Sequence, residues 1–115
     1  MADIIYIRWE DAFSPNAGWQ NNDEIDGVNK RRFLVDTVGL LLRCDDYGLV
    51  LAQGWSAQGE DHTYNNVLKV PSGWIHDIKR IGEVSNKGHS TVSYNDLVKI
   101  ASKWKLRLGA KNAKK

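Results

Sequence analysis

The sequence holds one cysteine and two prolines in 115 residues, and no apolar run in it approaches the ~20 residues that span a bilayer. A lone thiol, Cys44, excludes an internal disulfide framework and any multi-cysteine zinc site. The opening Met1-Ala2-Asp3-Ile4 has neither a basic stretch nor a small-residue cleavage site, so no secretory signal is expected. Histidine is scarce too. His62, His76 and His89 fall in separate segments, with no pair at i, i+3 or i, i+4, so neither a metal nor another cofactor is expected. Gly54, Gly59, Gly73 and Gly88 are scattered, and none opens a helix with Lys-Ser/Thr behind it, which leaves no phosphate-cradling loop. A Cys44–His76 pair across a small barrel would need a third, orienting group that the sequence does not suggest. A thiol ending an apolar strand face reads instead as a small core hydrophobe. The chain is therefore expected not to be an enzyme.

What is present suits one compact domain: 42% hydrophobic, 26% charged and 10% aromatic residues, enough to bury roughly two-thirds of the unfolded surface. Charge is unevenly placed. Residues 1–87 carry nine Lys/Arg against thirteen Asp/Glu, whereas residues 88–115 carry seven against one. A basic terminal quarter can serve nucleic acid, an acidic partner or solubility, and Ala110 to Lys115 has nothing apolar to pack.

Hydrophobic periodicity outlines the elements. Ile4–Trp9 is short, β-branched and aromatic, hence a strand, followed by a loop through Ser14-Pro15-Asn16-Ala17-Gly18. Gln20 to Gly27 is too polar for a core strand and suggests at best one helical turn stopped by Gly27. Phe33–Cys44 is the strongest strand, with Leu34, Val38, Leu40, Leu42 and Cys44 on one face and Gly39 at a bend. Asp36 interrupts that face, most simply as the true strand start. Asp45-Asp46-Tyr47-Gly48 is a hairpin turn, and Leu49–Ala52 returns. Gln53 to His62 reads as a polar loop carrying Trp55. Tyr64–Val70 and Trp74–Ile81 are further strands around Pro71-Ser72-Gly73. Five short strands joined by tight turns predict a mainly β, barrel-like domain over 1–81 with Leu40, Leu42, Leu51, Leu68, Val70 and Ile78 in its core. A linker follows over 82–93. Ser93, with Asp96 three residues on, then caps an amphipathic basic helix over 94–108, on which Leu97, Ile100, Ala101, Trp104 and Leu108 form the apolar stripe. Residues 109–115 form a basic tail after Gly109.

Taken in order, Trp9-Glu10-Asp11-Ala12, Gly18-Trp19, Val38-Gly39-Leu40, the acidic hairpin at Asp45–Gly48 and the closure Val70-Pro71-Ser72-Gly73-Trp74-Ile75 resemble a group of small bacteriophage proteins. The resemblance covers residues 4–81 and implies an Sm-like (Hfq-like) or SH3-like five-stranded small barrel. It lends no uridine-binding or catalytic motif, and the basic helix lies outside it.

Trp9 and Trp74 are expected to pack in the core, and Trp104 to dock its helix on the barrel. Trp19 and Trp55 sit in polar loops, where aromatics stack on single-stranded nucleic acid or anchor protein partners. With Lys99, Lys103, Lys105, Arg107, Lys111, Lys114 and Lys115 they make the candidate surface for nucleic acid or a partner. The function expected is a non-enzymatic phage-type binding module. Open barrel edges predict a homo-oligomer engaging RNA, DNA or a host protein. The alternative is a structural virion or assembly accessory protein without nucleic-acid binding. The compartment expected is the host cytoplasm or the virion, with no membrane partner.

Overall fold

A computed structural model describes residues 1–12, 19–58, 61–85 and 90–104. Along the chain these form β1 (Ala2–Asp11), α1 (Asn22–Lys30), β2 (Phe33–Asp45), β3 (Gly48–Gln58), β4 (Asp61–Pro71), a 3-10 turn (Ser72–Trp74), β5 (Ile75–Val84) and α2 (Tyr94–Ala101). The strands make one antiparallel sheet in the order β4-β3-β2-β1-β5. The mainly β expectation holds, as a sheet that is not closed: among the described residues β4 and β5 do not pair with each other.

Side-chain alternation explains the core. Ile5, Ile7 and Trp9 face one side of β1, and the register Ile5↔Gly39, Ile7↔Thr37, Trp9↔Val35 puts the odd-numbered residues of β2 on that same side. The main cluster therefore holds Ile5, Ile7, Trp9, Leu41, Leu49, Leu51, Val70 and Ile75, covered by Leu97 of α2 and by Trp104. Ala2, Leu40, Leu42 and Ala52 form a second cluster. This revises the expected face of β2. Leu34 and Val38 are 44% and 46% exposed, and Cys44 reaches the main cluster only after a register shift between Leu41 and Arg43. Of the six expected core residues, Leu40, Leu42, Leu51 and Val70 are buried, and Leu68 and Ile78 pack partly buried against the main cluster. Gly39 marks a close approach, since a Cβ there would stand 2.8 Å from the Ala52 carbonyl oxygen of β3.

The Asp45–Gly48 turn forms as expected. Asp45 Oδ1 accepts from the amides of Tyr47 and Gly48 at 2.8 and 3.1 Å. Gly48 takes φ +153°, and a Cβ on it would collide with the Val70 carbonyl oxygen.

Several boundaries depart from the sequence reading. Of the expected polar loop over 53–62, the described residues continue β3 and β4, paired from Gly54↔Asn65 to Gln58↔Asp61 with Trp55↔Tyr64 between. Cross-strand aromatic and threonine pairs carry it, although β2 no longer supports it beyond Ala52. α1 runs nine residues straight through Gly27, because Asn21 and Glu24 form a reciprocal capping box. β5 extends past Ile81 to Val84. α2 begins as expected, with Ser93 Oγ accepting from the Asp96 amide at 3.1 Å, but ends at Ala101 rather than 108. There the amides of Lys103 and Trp104 bond back three residues, to Ile100 and Ala101, and the tightened turn swings Trp104 into the core. Leu108 and Gly109 lie outside the described residues.

One buried carboxylate joins three elements. Asp3 of β1 accepts from Arg80 Nε of β5 at 2.8 Å and from the Tyr94 amide, the first of α2, at 2.6 Å. Its pKa is pushed up by burial and pulled down by these two bonds and the Arg80 charge, and the balance lies below the ordinary carboxylate value.

Candidate functional site

Trp9 is nearly buried and its indole Nε1 donates to Thr37 Oγ1 at 3.0 Å. Trp74, carried out of β4 by the 3-10 turn, stacks parallel on it with centroids 6.4 Å apart and planes 3° from parallel. Trp9 is the core residue expected. Trp74, expected in a strand and in the core, lies in the turn and stays 41% exposed, because Pro71-Ser72-Gly73 turns before the strand can begin. It borders an open recess of about 330 Å³ lined also by Glu10, Asp11, Ala12 and Gly73. Glu10 Oε1 meets Arg32 Nη1 and His76 Nε2, each at 3.1 Å. Asp11 Oδ1 accepts from the Ala12 amide at 2.8 Å. An aromatic surface beside two carboxylates suits a cationic side chain and repels phosphate.

The residues singled out in the sequence do not form one surface. Trp19 is fully exposed, just before α1. Trp55 is on β3 rather than in a loop; with Tyr64 opposite, it lines a shallow recess of about 410 Å³ bounded by Gly54, Ser56, Thr63 and Asn65. Lys99 is exposed on α2, and Lys103 is exposed in the turn after it, so the two do not share a helical face. Trp104 docks as expected: it is buried, and its Nε1 donates to the Asp45 carbonyl at 3.1 Å. Lys105, Arg107, Lys111, Lys114 and Lys115 lie outside the described residues, as does His89.

Two clusters escaped the sequence reading. Asp36 is not a strand start but stands mid-β2, opposite Arg8, and accepts from Tyr6 Oη at 2.6 Å and Arg8 Nε at 2.8 Å. The Arg8 bond first and the Tyr6 bond second hold its pKa at about 2. An acid on an outward position opposite an arginine is the signal that could have found it. The other is the Glu10–Arg32–His76 group, joined from the end of β1, the residue before β2 and the start of β5, which no linear spacing connects. His76 is thus placed beside Glu10. The Cys44 thiol pKa is raised by burial, then by Asp96 and Asp45, the direction opposite to that of an activated nucleophile. Among the described residues no three His, Cys, Asp or Glu converge as metal ligands, and no helix is long and apolar enough to cross a membrane.

Comparison with protein-family models, curated proteins and solved structures found no match.

Proposed function

We propose that the chain is a non-enzymatic, self-associating small-barrel module of the Sm-like or SH3-like kind found in bacteriophage proteins, and that it engages nucleic acid through its basic C-terminal segment. The observation that carries this reading is the pair of sheet edges. β4 offers eleven residues and β5 ten, and among the described residues neither outer edge has a strand partner. Long unpaired edges invite strand addition, and joining β4 of one copy to β5 of the next removes both. Association of this kind would bring several basic segments onto one assembly, multiplying contacts to a phosphate backbone. Exposed Lys99 and Lys103 begin that segment.

Light scattering after size exclusion, with and without nuclease treatment, tests both parts. Expected are a mass several times 13.0 kDa and nucleic acid that co-purifies until digested. A strict monomer at tens of micromolar would remove the assembly, and no binding to RNA or DNA at 50 mM salt would remove the ligand.

A second reading has one observation in its favour. α1 buries no residue, Ile25 on it is half-exposed, and Trp19 stands fully exposed beside it. A helix and tryptophan without an internal role suit a virion or assembly accessory protein that docks on another protein.

A further inference from the structure

We propose that the recess beside the stacked Trp9–Trp74 pair receives a basic side chain from the chain's own C-terminal segment, residues 105–115. The recess has the composition of a cation receptor: about 330 Å³ of open space lined by the exposed Trp74 and by two acidic residues, Glu10 and Asp11. Glu10 already meets Arg32 and His76. Asp11 forms no ion pair with any described residue, so it supplies the uncompensated charge.

The occupant follows from where the described chain stops. Trp104 is pinned to the Asp45 carbonyl at 3.1 Å, at the β2–β3 turn. That turn touches the 3-10 turn directly, the Ser72 amide donating to the Tyr47 carbonyl at 2.8 Å. Gly73 and Trp74 of the same 3-10 turn line the recess. Eleven residues follow Trp104, five of them Lys or Arg and none acidic. Fully extended they reach at most about 36–40 Å, which is ample for a target that starts one short turn away. A single cation over an exposed indole binds weakly. Tethering supplies the millimolar effective concentration that fills such a site within one molecule. This inference stands apart from self-association and from nucleic-acid binding. It would instead make phosphate compete with the recess for the same lysines and arginines.

The test compares the full chain, ¹⁵N-labelled, with one truncated after Trp104. The Trp74 indole and Asp11 amide signals should differ between the two at 50 mM salt, converge by 500 mM, and keep their difference on tenfold dilution. Asp11→Asn in the full chain should move the Trp74 signal toward its truncated position, while an unchanged Trp9 indole signal reports an intact core. If that variant unfolds, the salt response of the native pair decides. Coincident Trp74 signals in the two native chains overturn the proposal. A difference that survives 500 mM salt overturns the cationic contact, and one that vanishes on dilution assigns the segment to a second copy and overturns the same-chain contact. Oligomer mass is measured separately, so failure of one reading is distinguishable from failure of the other.

Discussion

Trp9 is where one hydrogen bond decides most for a single residue. Its indole N–H is buried and satisfied by Thr37 Oγ1 at 3.0 Å. Thr37→Val keeps the shape and removes the acceptor, leaving that N–H unpaired, which should cost about 1–3 kcal/mol in urea unfolding. Two carboxylates govern the acid side of the stability curve. The pKa of Asp3 lies below its ordinary value, and that of Asp36 is about 2. Their folded pKa values are depressed, so they stabilise the fold above roughly pH 4, the unfolded carboxylate range. That contribution is lost as pH falls through the folded values. The urea midpoint should therefore drop between pH 5 and pH 2. Asp3→Asn and Asp36→Asn should each flatten the drop, because each removes a carboxylate whose folded pKa lies below its unfolded value. A drop as steep in both variants as in the native chain would show that neither carboxylate carries it.

At the scale of elements, α1 and α2 are held by different forces. Leu97 on α2 is fully buried in the main cluster, so Leu97→Ala should lower global stability by about 2–5 kcal/mol. α1 buries nothing, and a nine-residue helix alone is marginal in water. Its capping box is its main support, so Asn21→Ala should cost about 0.5–2 kcal/mol of helix stability. Gly27→Ala, into open space, should return about 1 kcal/mol. Hydrogen exchange of the α1 amides should record both changes while the global melting temperature stays put; a shift in the melt would mean that α1 packs on the sheet. The same contrast explains what was legible in the sequence. The Asp45–Gly48 turn, the Ser93 cap and the strand at 33–45 announce themselves through local chemistry: an Asx acceptor, a hydroxyl before a helical stripe, a β-branched run. α1 is hidden because its composition is polar, and the outer ends of β3 and β4 because Gln53, Gly54, Ser56 and His62 resemble a loop until each strand is seen to pair with the other. Leu34 and Val38 fall on the outer face: alternation fixes two faces without saying which is buried, and only the register against β1 decides. The Trp74 recess was illegible because it unites residues 10–12 with 73–74.

For the molecule as a whole, the division between an acidic body and a basic end makes salt the most informative variable. If Lys99, Lys103, Lys105, Arg107, Lys111, Lys114 and Lys115 all contact phosphates, the logarithm of affinity should fall with the logarithm of salt at a slope of about 0.9 per neutralised phosphate on duplex, and about 0.7 on single strands. Seven contacts then give about 6 on duplex and about 5 on single strands. Truncation after Trp104 removes five of the seven cations, and the slope should fall to about 2 on duplex and below that on single strands. The core should be indifferent to the cut, because Leu97, Trp104 and every other described residue of the main cluster are retained. Thermal melts of the two proteins should therefore agree within a few degrees while their salt slopes differ about threefold. The aromatics add a separate signature. Trp55→Ala should weaken binding to single strands by about 1–3 kcal/mol if bases stack on it, and should leave the salt slope unchanged because no charge is lost. Occupation of the Trp74 recess by the same segment would appear as competition: Asp11→Asn should free a cation and tighten binding at low salt. If the truncated protein binds with the slope of the full one, the phosphates are held by the sheet rather than by the tail, and the basic C-terminal segment loses its place in the proposed function.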